Sequence, residues 1–120
     1  MLMKLRLALW LLGLLLKRAL RRKPRFAEQL KDMRGLAFGI ATEDLSIARH
    51  YRMTPSAIHS ATGLPTDLDL ELRFADAATA LAVLKKPTSR AFFDGMRRNK
   101  VRLVGDSADM TRLQKLLRQL

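Results

Sequence analysis

The run from Leu7 to Leu16, LALWLLGLLL, restricts how this chain can fold more than any other segment. Ten consecutive apolar residues must leave water, yet as a helix they rise only about 15 Å, roughly half the hydrocarbon core of a bilayer. Lys4 and Arg6 interrupt any extension toward the N-terminus, so a simple transmembrane span is disfavoured. A secretory signal would begin in the same way, but a cleavage site of small residues should follow it. Instead the sequence continues KRALRRKPR, six basic residues between Lys17 and Arg25 with no acid among them. Such a stretch resists export. The expected location is cytoplasmic, peripheral at the inner membrane.

Charge sharpens this reading. The net charge of +12 comes from 23 basic against 11 acidic side chains. Residues 1–34 hold ten Lys or Arg against two acids, +8 of that total, and the remainder holds thirteen against nine. The basic excess and the greasiest run therefore coincide. At about 100° per residue, Arg6, Lys17, Arg18, Arg21 and Arg22 share one broad face, with Leu9, Leu12, Leu16 and Leu20 roughly opposite. Leu7, Leu11 and Leu14 fall inside the basic face. Residues 1–23 are expected to form a membrane-associating helix. Leu9, Trp10, Leu12 and Leu16 would enter an anionic surface, and Lys17, Arg18, Arg21 and Arg22 would meet its headgroups at about 1 kcal/mol each. The alternative is that Leu7–Leu16 packs on the domain itself or on a second copy of the chain.

The 120 residues suffice for one core, which is assigned to residues 24–120. Apolar residues make up 48% and charged residues 28%, a globular balance. With no cysteine, disulfides, thiolate zinc sites and iron–sulfur clusters are excluded. Two histidines without further ligands at metal spacing imply neither a metal nor another cofactor.

After Pro24 the segment Arg25–Met33 reads as a short helix. Alternating runs follow at 36–41, 45–52 and 57–62, and the cleanest is Leu68, Leu70, Leu72 and Phe74 against Asp69, Glu71 and Arg73. Asp76 caps an alanine-rich helix that stops at Pro87, and Thr88 caps the next, which carries Phe92, Phe93 and Met96 inward. KVRLVGD supplies a fifth strand, and Asp106 caps a terminal helix with Met110, Leu113, Leu116, Leu117 and Leu120 at helical spacing. The class is α+β: a single twisted, mostly antiparallel five-stranded sheet covered by helices.

This order and its motifs resemble the sterol carrier protein-2 (SCP2-like) lipid-binding domain, over about residues 34–120. The resemblance is carried by LDLELRF, the acidic cap at Asp76, the helix with Ala91-Phe92-Phe93-Asp94-Gly95, and Asn99-Lys100-Val101-Arg102-Leu103-Val104-Gly105-Asp106. Asn99 stands where the family pattern has glycine, a change that asparagine's tolerance of positive φ allows.

The resemblance implies a hydrophobic ligand held between sheet and helices. Leu36, Phe38, Ile40, Leu70, Leu72 and Phe74 would form the sheet wall. Phe92, Phe93, Met96, Leu113, Leu117 and Leu120 would form the helical wall, although the same residues could fill a dry core.

No organised catalytic set accompanies them. Ser46, Ser56, Ser60, Ser89 and Ser107 lack a nucleophile-elbow context, His50 and His59 lack a third member, and Asp69 and Glu71 read as surface charges beside Arg73. The expected function is non-enzymatic binding or transfer of a lipid or sterol-like ligand. A second reading, which similar bacterial SCP2-like proteins imply, is a lipid-binding accessory subunit of ubiquinone (isoprenoid quinone) biosynthesis. Its partners would be biosynthetic enzymes or a second copy of the chain. A third, nucleic-acid binding, is weakened because the basic residues interleave with leucine and aromatic residues make up only 6%.

Overall fold

Pro24 divides the leading segment into two helices. The computed structural model describes residues 2–86 and 88–120. Helix α1 spans Leu2–Arg22 and α2 spans Pro24–Asp32. Proline suits the first position of α2, where a backbone N–H would lack a helical partner anyway. Strands β1 (Leu36–Thr42), β2 (Ala48–Met53), β3 (Ile58–Thr62) and β4 (Leu70–Phe74) follow. Helices α3 (Ala77–Lys85) and α4 (Ser89–Arg97) precede β5 (Val101–Gly105) and α5 (Ser107–Leu117). Pro87, expected to stop α3, lies outside the described residues.

The strand order is β3-β2-β1-β4-β5, with β1 and β4 parallel and the other three pairs antiparallel. The parallel pair arises because the chain leaves β3 at one edge and returns on the far side of β1. This is the mostly antiparallel α+β sheet that the alternating runs predict.

The expected caps form. Asp76 accepts from the Thr79 N–H at 2.7 Å, Thr88 from Ala91 at 3.1 Å and Asp106 from Ala108 at 2.9 Å. Gly105 sits at φ +129°, where an added Cβ would lie 2.6 Å from the Asp69 carbonyl oxygen. Asn99 takes φ 58°, the conformation for which asparagine substitutes for glycine.

Two strands start later than their alternation suggests: β4 begins at Leu70, with Leu68 and Asp69 ahead of it, and β2 begins only after a turn. The Asp44 carboxylate accepts from the Thr42 hydroxyl at 2.7 Å and from the Ser46 hydroxyl and N–H at 2.8 and 3.0 Å. That turn holds Leu45 at φ 60° and exposed, so β2 begins at Ala48 and Ile47 is the residue that enters the core. The Thr42 hydroxyl holds the Asp44 carboxyl below its ordinary range, as the Arg102 guanidinium does for Glu43 and the Thr79 N–H for Asp76. Carboxylates depressed in the folded state stabilise it above their unfolded values, and that contribution is lost as pH falls through the folded values. Thermal melts followed by circular dichroism should hold a constant midpoint above about pH 5 and a falling one below about pH 4.

Helix α1 is part of the core. Leu5, Leu9, Leu12, Leu16 and Ala19 recur at spacings of four, three, four and three, and all are buried in one cluster with Phe38, Tyr51, Leu72 and Phe74. The Tyr51 hydroxyl donates to the Leu9 carbonyl at 2.5 Å, and its ring stacks on Phe38 with centroids 4.9 Å apart. Burial pushes the phenol's pKa up, which keeps it a donor. Leu9, Leu12 and Leu16, expected to enter the membrane, instead close the apolar face of the sheet, which would otherwise be wet. At Gly13 a Cβ would sit 3.5 Å from Tyr51 Cε1, ordinary contact distance. Gly13→Ala should therefore raise stability by about 1 kcal/mol through helix propensity, measured as a higher denaturation midpoint.

Candidate ligand-binding cleft and the outer face of the first helix

Once α1 has turned one stripe inward, its remaining apolar residues face out. Leu2, Met3, Leu7, Trp10, Leu11, Leu14 and Leu15 are seven of the eleven exposed large hydrophobics among the described residues. Trp10 is 50% exposed. Lys4 and Arg6 flank this face at one end, and Lys17, Arg18, Arg21 and Arg22 at the other, with no acid anywhere in α1. Among the described residues no helix is long and apolar enough to cross a membrane. Leu7, Leu11 and Leu14, which fall inside the basic face of the helical wheel, are thus among the residues left on the surface.

Beside this face lies a cleft of about 380 Å³ between α1, α3 and the end of α5. Ala8, Leu11, Leu12 and Leu15 come from α1, Leu81, Leu84 and Lys85 from α3, and Leu117 and Leu120 from the C-terminal segment. Its size falls in the range of small-molecule sites, and its lining is apolar except for Lys85 at the end of α3. A larger cleft of about 470 Å³ near the start of α1 mixes Arg6, Ser46, Arg49 and Thr62 with Leu9, Leu45 and Ile47, and is more polar.

Of the twelve residues expected to contact a ligand, Leu117 and Leu120 border the apolar cleft. Leu36, Phe38, Ile40, Leu70, Leu72 and Phe74 are buried in the core and do not line it, nor do Phe92, Met96 and Leu113. α1 has taken the place against the sheet that a ligand was expected to occupy. Phe93 does not point inward: it is 68% exposed, whereas Phe92 is 2% exposed. Neighbouring helical residues diverge by about 100°, and with Phe92 turned into the core Phe93 is left on the solvent side of α4. α3 adds Leu81 and Leu84, which are not among those twelve; the signal for them is that they stand one turn apart in a segment too apolar for a surface helix.

The polar candidates named from the sequence are engaged separately among the described residues. His50 Nδ1 lies 3.0 Å from the Gly63 carbonyl, and the register sets His59 opposite Arg52 rather than His50. Glu71 pairs with Arg73 at 3.1 Å, and Asp69 accepts from the Ala37 N–H at 2.8 Å. Among the described residues no group of three His, Cys, Asp or Glu could hold a metal ion.

Comparison with solved structures decides the architecture. A structure described as UbiJ-SCP2, a ubiquinone synthesis protein, superposes with a TM-score of 0.70 over 89% of this chain and 90% of its own, at 16% identity. The fold is that of the SCP2 domains. Sterol carrier protein domain 2 of Helicoverpa armigera (TM-score 0.60, 14% identity, 93% of this chain and 87% of that one) shares it. So does apo sterol carrier protein 2 of Yarrowia lipolytica (0.58, 12%, 87% and 84%). No family model matches the sequence, and no curated protein matches it. The superpositions extend over most of the chain, so the SCP2-like likeness is not confined to the stretch whose motifs carried it.

Proposed function

We propose that this SCP2-like protein binds a hydrophobic ligand without catalysis, in the cleft between α1, α3 and α5. It would do so while docked through the outer face of α1 on an anionic membrane, at the cytoplasmic leaflet. One observation carries the reading: Leu11 and Leu15 both line the apolar cleft and belong to the exposed apolar face of α1. A surface seated in lipid would therefore hold the mouth of the cleft at the lipid, and a hydrocarbon chain could pass between them without crossing water. Each methylene buried contributes about 0.8 kcal/mol. Exposed apolar patches of this kind mark interaction surfaces, and the six basic residues of α1 complement an anionic partner.

Filling the cleft tests this. Ala8→Trp should weaken binding of an apolar fluorescent probe by about tenfold or more, because the indole occupies the ligand's volume. It should leave the melting midpoint within a few degrees of wild type. Native mass spectrometry with solvent extraction should find a lipid on the wild-type protein and little on the variant. Equal loading of both would refute the cleft as the site.

A second reading is favoured by the likeness to the ubiquinone synthesis structure: the ligand is a prenylated ring, and the protein presents it to biosynthetic enzymes. Extraction separates the two, since quinone precursors support the accessory-subunit reading and phospholipid or fatty acid supports the carrier.

A further inference from the structure

Strand β3 forms one edge of the sheet. The Gly63 N–H donates to the Ala48 carbonyl at 2.9 Å, and the Ala57 carbonyl accepts from the Thr54 N–H at 2.8 Å. Backbone groups alternate in direction along an antiparallel ladder, so His59 and Ala61, in step with Ala57 and Gly63, face β2. The N–H and C=O groups of Ile58, Ser60 and Thr62 therefore face away from the sheet. Among the described residues none of them has a hydrogen-bond partner. Free edges are commonly blunted by proline, by lysine or by a bulge. β3, with the sequence IHSAT, has none of these, and its register with β2 runs unbroken from Ile58 to Thr62.

The open edge runs beside a basic flank of α1. At one end Thr62 lines the cleft of about 470 Å³ with Arg6 and Arg49. At the other, Ile58 lines a cleft of about 310 Å³ with Lys17 and Arg21. Between them α1 passes close to Ser60, whose Cβ lies 3.7 Å from where a Cβ on Gly13 would stand. Arg49 Nε donates to the Ser60 hydroxyl at 2.7 Å, which holds the guanidinium near the edge. No carboxylate lines either cleft. Among the described residues no ion pair includes Arg6, Lys17, Arg21 or Arg49.

We propose that the β3 edge receives an acidic, extended segment of a partner protein as a further strand. The segment's backbone completes the hydrogen bonds of Ile58, Ser60 and Thr62, and every second side chain points toward α1. Carboxylates at those positions meet the four cations. The same charges disfavour a second copy of this chain, because pairing two β3 edges would bring like charges together. The surface lies on the flank of α1 away from the apolar cleft, and it stands whether or not that cleft holds a ligand. Lys17 and Arg21 also belong to the proposed membrane face, so an acidic segment and an anionic leaflet compete for them.

The test uses the full-length chain without vesicles and a synthetic peptide alternating glutamate with threonine. In amide hydrogen exchange followed by NMR, Ile58, Ser60 and Thr62 should slow about tenfold or more at saturating peptide, while His59 and Ala61 change little. The same peptide N-methylated along its backbone keeps its charge but loses its donors, and should bind about tenfold more weakly. A lysine–threonine peptide should not bind. Thr62→Pro removes one outward N–H and leaves the ladder to β2 intact. It should weaken the acidic peptide about fivefold, with the melting midpoint within a few degrees of wild type. If that variant does not fold, the methylated peptide on the wild-type chain still decides. Equal binding of the plain and methylated peptides overturns strand addition and leaves only a charged surface. Equal binding of the acidic and basic peptides overturns the charge assignment. Slowing of the three amides with rising protein concentration alone would put a second copy in the partner's place. No slowing with the acidic peptide removes the proposal outright.

Discussion

Removal of residues 1–23 is expected to abolish cooperative unfolding, leaving a chain with no sigmoidal thermal transition by circular dichroism and with exposed hydrophobic surface that binds dye. The reason is the inward stripe of α1. Leu5, Leu9, Leu12 and Leu16 are all buried, and burying each leucine contributes about 1.5–3 kcal/mol. Their sum, roughly 6–12 kcal/mol, matches the entire stability of a typical domain. The truncation would also strip the cover from Tyr51 and leave its hydroxyl without the Leu9 carbonyl. A truncated chain that melts cooperatively near the wild-type midpoint would show that the sheet closes without α1.

The second large effect concerns the membrane. Lys17→Glu combined with Arg21→Glu changes the charge of the docking flank by four. At about 1 kcal/mol per charge near an anionic leaflet, this amounts to roughly 4 kcal/mol, a weakening of about a thousandfold at low salt. Both residues are exposed and neither lines the apolar cleft, so fold and probe binding should persist. Flotation with vesicles rich in anionic lipid is the measurement. Undiminished flotation of the double variant would exclude the electrostatic docking face. Because the truncation removes the fold as well as the face, charge reversal is the cleaner test of docking.

Much of this architecture was legible in the residues. Asp76, Thr88 and Asp106 announced three helix starts, because a side-chain acceptor beside an apolar periodic run satisfies the free N–H groups at once. Gly105 and Asn99 marked positions needing positive φ. The alternation of Leu70, Leu72 and Phe74 gave a strand with one buried face. Leu45 misled because alternation ignores turn chemistry, and three hydrogen bonds to Asp44 outweighed the strand pattern.

The cleft was less legible, and for a different reason. A helical wheel orders side chains around an axis but does not say which side meets the sheet. For α1, greasy all round in its middle, the two choices of inner face exchange membrane and core leucines wholesale. The residues that line the cleft come from α1, α3 and the C-terminal segment, elements far apart in sequence, and only the packed fold brings Leu11, Leu84 and Leu117 together. Phe93 shows a similar limit: the sequence marks Phe92 and Phe93 alike, and only the packing of α4 shows that Phe92 alone is turned inward.

The exposed face of α1 has a practical corollary. Trp10 is the only tryptophan in the sequence, and it stands half-exposed on that face. The protein therefore carries its own optical reporter of docking. Transfer of the indole from water to lipid should move its emission to shorter wavelength, with no second indole to obscure the shift.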